Sequence, residues 1–191
     1  MINKNKINIF TDCLKIIFIT LVITVLIEKY IIGITLVKGG SMLYTINNND
    51  RLLINKLSYI YKKPSRGDII IFKPPLKNRK DELFIKRVIA VEGDKFKIVG
   101  NHVYINDELL IEKYIRDEKY IERDYNILQG TVPKGYVFVL GDNRNNSNDS
   151  RTFGFVPIEN IKGKALTKIW PIKGVTTLAV EYPKDGDGIT D

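Results

Sequence analysis

An uncharged run near the N-terminus, Ile16–Ile27, constrains the fold of this chain more than any other feature of the sequence. Apolar residues continue beyond it to Ile34, interrupted by Glu28 and Lys29. The stretch from Leu14 to Ile34 has 21 residues. A helix of that length spans roughly 30 Å, the thickness of the hydrocarbon core of a bilayer. The sequence therefore predicts one N-terminal transmembrane helix, whose flanking charged side chains extend to the interfaces.

The same run is also compatible with a cleavable signal peptide, which is the alternative interpretation. Cleavage requires small residues one and three positions before the cut, and after Ile27 only Gly33 and Thr35 have that spacing. Because threonine fits such a site poorly, we predict an uncleaved anchor over residues 1–35. The positive-inside rule then predicts a single-pass plasma-membrane protein with a cytoplasmic N-terminus and residues 36–191 outside. The lysines that precede the run are Lys4, Lys6 and Lys15.

Composition excludes several kinds of site. One cysteine cannot form an intrachain disulfide, and one cysteine with one histidine supplies too few ligands for a structural zinc site. The net charge of +8 is spread along the chain, without a basic helix or an aromatic-basic motif. Nucleic acid is therefore not an expected partner. We predict no metal and no cofactor, and the oligomeric state stays open.

Beyond the anchor, short runs rich in β-branched and aromatic residues alternate with turn residues. Gly100-Asn101 and Asn106-Asp107 fit two-residue hairpin turns. The pattern predicts an all-β, mostly antiparallel domain, either a barrel or a folded pair of sheets. The predicted strands are Arg51–Asn55, Asp68–Lys73, Leu83–Val91, Lys95–Val99, His102–Ile105, Tyr136–Leu140 and Lys164–Trp170.

The predicted domain organisation has three parts. The anchor is followed by a β-rich domain over residues 36–183, within which residues 92–135 form a smaller β insertion. The charged segment Ile111–Leu128 is expected to be an exposed loop. Residues 184–191 are expected to be a disordered tail.

Gly39 and Gly40 directly precede Ser41, at the start of the predicted soluble part. Glycines permit unusual backbone dihedrals and the close approach of another chain. This suits an exposed nucleophile with a neighbouring amide as oxyanion donor. A flexible Gly-Gly-Ser linker explains the same residues and is favoured when they are taken alone.

Lys86 lies within an apolar strand pattern, where Phe84, Lys86 and Val88 share one face. Burial lowers a lysine pKa, and a decrease of about two from about 10.4 makes roughly 10% of the amine neutral near pH 7.5. A neutral lysine can deprotonate a serine hydroxyl. The alternative is an edge-strand lysine that discourages aggregation.

Segment 141–151 (GDNRNNSNDSR) concentrates turn-forming and hydrogen-bonding residues directly after an apolar strand. Its carboxylates, Asp142 and Asp149, can pair with nearby arginines. A polar, cross-linked loop of this kind can orient a catalytic group, whereas the alternative is a solvated surface loop. The candidate arginines are Arg87, Arg144 and Arg151.

Together these segments resemble type I signal peptidase, a family of membrane-anchored serine endopeptidases that remove signal peptides from exported proteins with a Ser-Lys dyad on an all-β fold. The resemblance runs in order from the anchor to Trp170, and the single-span form is similar to Gram-positive relatives. It implies that Ser41 is the nucleophile and Lys86 the general base. It also implies that Ser147 hydrogen-bonds the lysine amine. The implied supporting ion pairs are Asp149 with Arg151 and Asp142 with Arg87.

The resemblance further implies that a preprotein binds as an added extended strand, with the residues one and three before the cut on one side. The family accepts small residues at both positions, often Ala-x-Ala. The implied partners are preproteins with signal peptides and the lipid bilayer. The residues that align with the family's pocket-lining positions are Val37, Met42, Ile46, Phe84 and Ile85.

Tyr44 departs from the family pattern Ser-Met-x-Pro-Thr, because it stands where proline is usual. Loss of the fixed proline φ predicts a looser nucleophile loop or a reshaped substrate groove. A specialised relative is therefore the alternative function, such as an assembly factor for pilins or surface proteins with weak or specialised proteolysis.

Two other families of hydrolase fit the sequence less well. LexA-like proteins carry a DNA-binding head where this chain has an anchor, and a Ser-His-Asp hydrolase would need His102, which lies beside a hairpin turn.

Overall fold

The computed structural model describes residues 4–79, 81–115, 121, 123–171 and 178. The expected disordered tail, residues 184–191, lies outside them. The helices are α1 (Lys4–Tyr30), α2 (Ser58–Tyr61) and α3 (Ser150–Phe153). The strands are β1 (Ile32–Leu36), β2 (Arg51–Asn55), β3 (Ile69–Phe72), β4 (Phe84–Val91), β5 (Lys95–Val99), β6 (His102–Ile105), β7 (Glu108–Leu109), β8 (Gln129–Thr131), β9 (Tyr136–Leu140), β10 (Val156–Pro157) and β11 (Ile161–Trp170).

The predicted antiparallel β fold is confirmed. Six of the seven predicted segments contain a strand, four of them with the predicted bounds, and the seventh is the C-terminal part of β11. The larger sheet has the order β1-β2-β11-β3-β4-β9-β10, and its strand pairs are antiparallel. Strand β3 is buried along its whole length. Its residues alternate between two hydrophobic clusters, with Ile69 and Ile71 in one and Ile70 and Phe72 in the other, as the two-residue period of a strand requires.

A four-stranded second sheet, with the order β7-β6-β5-β8, is formed by the chain between β4 and β9. Both predicted hairpin turns join paired strands. The second turn, Asn106-Asp107, has φ values of 52° and 70°, and positive φ at both positions is typical of a type I′ turn. Phe96 of β5 stacks on Phe138 of β9 with ring centroids 4.0 Å apart. This contact packs the second sheet against the larger one.

The segment Ile111–Leu128 is only partly the exposed loop that its charge predicts. Its described residues, 111–115, 121 and 123–128, form neither helix nor strand. The prediction of exposure is wrong at Glu112, whose side chain is 6% exposed. The reason is that this carboxylate reaches an arginine of the polar loop, Arg144.

Helix α1 contains the apolar N-terminal run but ends at Tyr30, and β1 begins at Ile32. The prediction of a helix that continues to Ile34 is therefore wrong, because this residue pairs with Leu53 of β2 in the larger sheet. Within the part of the chain that the structure describes, no helix combines the length and the apolarity that crossing a membrane requires.

Candidate active site

The residues around Ser41 form an ordered turn rather than a flexible linker. Gly39 has a φ of 98°, and its N–H donates to the side-chain oxygen of Asn48 at 2.9 Å. Further along the turn, the N–H of Ile46 donates to the carbonyl oxygen of Met42 at 2.8 Å. The Gly-Gly-Ser segment is thus fixed by hydrogen bonds and presents Ser41 at the wall of a cleft.

Strand β4 carries Lys86 to the serine. Its Nζ donates to Ser41 Oγ at 2.7 Å and to the carbonyl oxygen of Ile85 at 3.0 Å. The antiparallel register that pairs Lys86 with Ile70 of β3 fixes the position of the lysine backbone. The structure therefore brings together two side chains that are 45 residues apart in sequence.

The Lys86 side chain is buried, with the residue 4% exposed. Burial lowers the pKa of Lys86 from 10.5 to about 8, although the carboxylates of Asp149 and Asp142 act in the opposite direction. Its Nζ also lies 5.3 Å from the centroid of the Phe84 ring. A lysine with this pKa is partly neutral near pH 7.5, so it can accept a proton from a hydroxyl group.

A buried ion pair joins β4 to the polar loop. Arg87 donates from Nε and Nη2 to the two oxygens of Asp142 at 2.9 and 2.7 Å, and the side chains are 0% and 1% exposed. The same carboxylate accepts a hydrogen bond from the hydroxyl of Thr45 at 2.6 Å. Asp142 therefore links β4 to the turn that carries Ser41, and its pairing with Arg87 is the one that the family resemblance implies.

A second buried pair, Arg151 with Asp149, lies within the polar loop. Arg151 Nε and Nη2 donate to the carboxylate at 2.8 and 2.9 Å. The carboxylate of Asp149 also accepts from the N–H of Gly141 at 3.1 Å. Arg151 in turn donates to the carbonyl oxygen of Arg144 at 2.8 Å. The polar loop is thus cross-linked, and the solvated-loop alternative is wrong.

Asn143 of the polar loop also holds the serine turn, although it was not among the predicted site residues. Its backbone N–H donates to the carbonyl oxygen of Ser41 at 3.0 Å, and its side-chain amide donates to that of Gly40 at 3.0 Å. The only sequence signal was the density of polar residues in the loop, which does not say which amide reaches the serine.

Ser147 differs from its implied role. Its hydroxyl is buried and has no hydrogen-bond partner among the described residues, which include Lys86, so the implied hydrogen bond to the lysine amine is absent. The lysine amine donates instead to Ser41 and Ile85. Gly141, the first residue of the polar loop, allows the loop to approach the serine turn closely, because a Cβ at this position would overlap the Ser147 hydroxyl and the Ser41 carbonyl oxygen.

A cleft of about 640 Å³ extends from the two candidate catalytic residues, Ser41 and Lys86. The prediction that Ile46 lines the substrate pocket is wrong. Ile46 does not line the cleft and is fully buried in the hydrophobic cluster with Met42 and Leu52. Pairing of β4 with β9 starts at Arg87, so the preceding residues of β4 keep one edge unpaired with that strand. The predicted pocket residues that line the cleft are Val37, Met42, Phe84 and Ile85.

Other candidate sites receive no support from the geometry. His102 is exposed at the start of β6, in the second sheet. Among the described residues, no group of three or more His, Cys, Asp or Glu side chains is placed to hold a metal ion. Tyr44 is 42% exposed and lies at a small crevice with Asn143 and Ile115.

Comparison with known proteins identifies the family. Residues 10–170 match the family model described as signal peptidase, peptidase S26. The chain is 40% identical over 164 residues to a signal peptidase I from Leptolyngbya laminosa, covering 83% of this chain and 79% of that protein. It is 39% identical over 163 residues to a probable signal peptidase I-1 from Synechocystis sp., covering 83% of this chain and 81% of that protein.

A solved structure of a signal peptidase I from Enterococcus faecalis is 35% identical to this chain. It has a TM-score of 0.46 and covers 54% of this chain and 97% of that chain. The family assignment does not depend on this superposition. It rests on the match over residues 10–170 and on relatives that are about 40% identical over most of both chains. The chain therefore belongs to the peptidase S26 family of signal peptidases.

Proposed function

We propose that this chain is a membrane-anchored endopeptidase that removes signal peptides from preproteins, with Ser41 as nucleophile and Lys86 as general base. The observation that carries the proposal is the 2.7 Å hydrogen bond between Lys86 Nζ and Ser41 Oγ inside a cleft. The lowered pKa of Lys86 supports it, because a lysine amine must be neutral to accept a proton.

The reaction is acyl transfer. Neutral Lys86 accepts the hydroxyl proton of Ser41 while Oγ attacks the scissile carbonyl carbon, forming a tetrahedral oxyanion. When the C–N bond breaks, protonated Lys86 gives this proton to the leaving amine, and an ester to Ser41 remains. Lys86 then takes a proton from a water molecule as that water attacks the ester, and it returns this proton to Ser41 Oγ when the bond to the acid product breaks.

The backbone N–H of Ser41 is the proposed oxyanion donor, and removal of such a donor typically costs a factor of about 10² to 10³ in rate. Gly39 has no side chain that could assist. The turn geometry on which this donor depends is supported by Asn143, which bonds the carbonyl oxygens of Gly40 and Ser41. The ion pair of Arg87 with Asp142 supports the same turn through Thr45 in this proposal.

The proposed substrate is an extended segment that pairs with the open edge of β4 beside Phe84 and Ile85. Alternate residues of such a strand point to the same side. The residues one and three before the cut would then enter the cleft next to Val37 and Met42, and the shallow apolar walls favour small side chains. This accounts for a preference for Ala-x-Ala.

Helix α1 is the proposed membrane anchor, with residues 36–183 as the extracytoplasmic catalytic domain and a cytoplasmic N-terminus. Apolar side chains of α1 stand exposed, including Ile16 at 64% and Phe18 at 67%, and lipid would cover them. The hydroxyl groups of Thr20 and Thr24 donate to the carbonyl oxygens four residues earlier at 2.8 and 2.9 Å. These hydroxyl groups are hydrogen-bonded within the helix, as a bilayer requires, because no water is present there to bond them.

The test uses purified full-length protein in detergent and a precursor that carries Ala-x-Ala before the cut. Wild type is expected to cut there, whereas Ser41→Ala and Lys86→Ala each lose at least about 10³-fold in kcat. The wild-type kcat/KM should rise with pH and reach half its maximum near pH 8, where Lys86 becomes neutral. His102→Ala is the control and keeps the wild-type rate, since His102 lies exposed in the second sheet.

Retention of normal cleavage by Ser41→Ala would exclude the dyad. Absence of cleavage by wild type, together with intact surface-protein assembly in cells that carry Ser41→Ala, would favour the assembly-factor alternative.

A further inference from the structure

A short segment of the second sheet's connecting loop reaches across to the polar loop. We name residues 111–115 the strap. The carboxylate of Glu112 lies 2.5 Å from Arg144 Nη2, and the two side chains are only 6% and 8% exposed. The hydroxyl of Tyr114 donates to the same carboxylate. Glu112 therefore forms a buried ion pair with the loop that carries Asp142, and Tyr114 is hydrogen-bonded to Glu112.

The aromatic ring of Tyr114 covers the first ion pair. Its centroid lies 3.8 Å from the guanidinium carbon of Arg87, within the range of a cation–π interaction. Arg87 has no exposed surface and gives two hydrogen bonds to Asp142. The strap thus helps to keep water from this ion pair, and exclusion of water strengthens its electrostatic interaction.

The ion pair continues to the nucleophile. The hydroxyl of Thr45 donates to the Asp142 carboxylate at 2.6 Å, and Thr45 lies in the same turn as Ser41. The strap also approaches this turn directly, because Ile115 and Tyr44 line one crevice of about 10 Å³. A continuous series of contacts therefore runs from the strap through Asp142 to the serine turn.

We propose that Tyr114 and Glu112 are positioning residues, which fix the serine turn through Arg87 and Asp142 so that Ser41 stays aligned with its base. The inference rests on the proposed role of Ser41 as nucleophile. Tyr114 holds Arg87 in the plane in which it bonds both oxygens of Asp142. Glu112 neutralises Arg144, which otherwise attracts the carboxylate of Asp142 and competes with Arg87 for it.

The first experiment compares kcat and KM of full-length variants on the Ala-x-Ala precursor. Tyr114→Leu removes the aromatic ring and is expected to lower kcat about tenfold, since a desolvated cation–π interaction is lost. KM stays within about twofold, because the substrate cleft is untouched. Tyr114→Phe keeps the ring and should restore kcat to within about threefold of wild type. The matched control is Tyr61→Leu at an 87% exposed position, with unchanged kinetics.

The second experiment is a double-mutant cycle with Thr45→Val. If the strap acts through Asp142 and Thr45, the double variant Tyr114→Leu/Thr45→Val loses no more kcat than the worse single variant. If the strap instead acts independently of Thr45, the fold-losses in kcat of Tyr114→Leu and Thr45→Val would multiply in the double variant. Glu112→Gln is a second probe of the strap, to be used if Tyr114→Leu fails to fold. It is expected to show the same fall in kcat and the same lack of additivity with Thr45→Val.

The proposal is overturned if Tyr114→Leu and Glu112→Gln both keep the wild-type kcat. It is also overturned if the fold-loss in kcat of Tyr114→Leu/Thr45→Val equals the product of the two single-variant losses. An equal fall in Tyr114→Phe and Tyr114→Leu also overturns the assigned role of the ring. These outcomes are separate from failure of the dyad, which is measured by Ser41→Ala in the same assay. If Ser41→Ala stays active, the dyad is wrong. If only Ser41→Ala is inactive, the dyad stands and the strap has no positioning role.

Discussion

Replacement of Lys86 by methionine should inactivate the protein and stabilise it at neutral pH. Methionine keeps the apolar stem and removes the buried amine. The pKa of Lys86 falls from 10.5 to about 8 on folding, which corresponds to a cost of about 3 kcal/mol for the protonated form. Loss of the hydrogen bonds to Ser41 and Ile85 offsets about 1 kcal/mol. The net gain at pH 7 is then about 2 kcal/mol, or about 4–8 °C in Tm for a chain of this length.

The pH dependence gives the sharper test. Between pH 8 and pH 10.5 the unfolded Lys86 binds a proton that the folded one has released, so wild-type stability rises with pH in this window. At pH 9.5 burial of Lys86 still destabilises the folded protein by about 1 kcal/mol, because the unfolded lysine must release its proton on folding. The advantage of Lys86→Met should therefore shrink to nearly zero at that pH.

The measurement is the thermal midpoint of wild type and variant in the same detergent at pH 7 and pH 9.5, followed by the fluorescence of the single tryptophan. Lys97→Met is the matched control, because Lys97 lies exposed on β5, and its difference from wild type should not change with pH in this way. A Lys86→Met midpoint that stays the same distance from wild type at both pH values would refute the burial argument.

Two further substitutions test how the polar loop supports the site. Asp142→Asn leaves the fully buried charge of Arg87 without its carboxylate and should destabilise the protein by about 3–5 kcal/mol, measured as the fall in Tm. An unchanged midpoint would show that Arg87 does not need the charge of Asp142. Gly141→Ala places a methyl group against the carbonyl oxygen of Ser41. It should lower kcat about a hundredfold by displacing the serine, whereas a wild-type kcat would show that the turn yields without cost.

Local patterns in the chain predicted much of the fold. Alternation of apolar residues and the two hairpin turns located the strands, because both depend on neighbours within a few positions. The end of the N-terminal helix was harder to place. The residues after Tyr30 are as apolar as the helix, and only their pairing with β2 makes them a strand.

The candidate site was predicted unevenly for a similar reason. Residue types and their order indicated Ser41, Lys86 and the two ion pairs through the family resemblance. Which apolar residues of the serine turn reach the cleft was not predictable. Ile46 and Met42 belong to the same turn, and yet only Met42 lines the cleft. The contacts of Asn143 and Glu112 also escaped prediction, because their partners lie on distant segments.

The sequence by itself determined the kinds of side chain available: one serine after two glycines, one lysine in an apolar strand, and paired acids and arginines in a polar loop. Only the tertiary structure decided that the amine and the hydroxyl lie 2.7 Å apart. The physical reason is that this distance depends on sheet register and on packing between segments far apart in the chain, and no local pattern encodes either. The orientation of Ser147 and the cover that the strap gives Arg87 were decided in the same way.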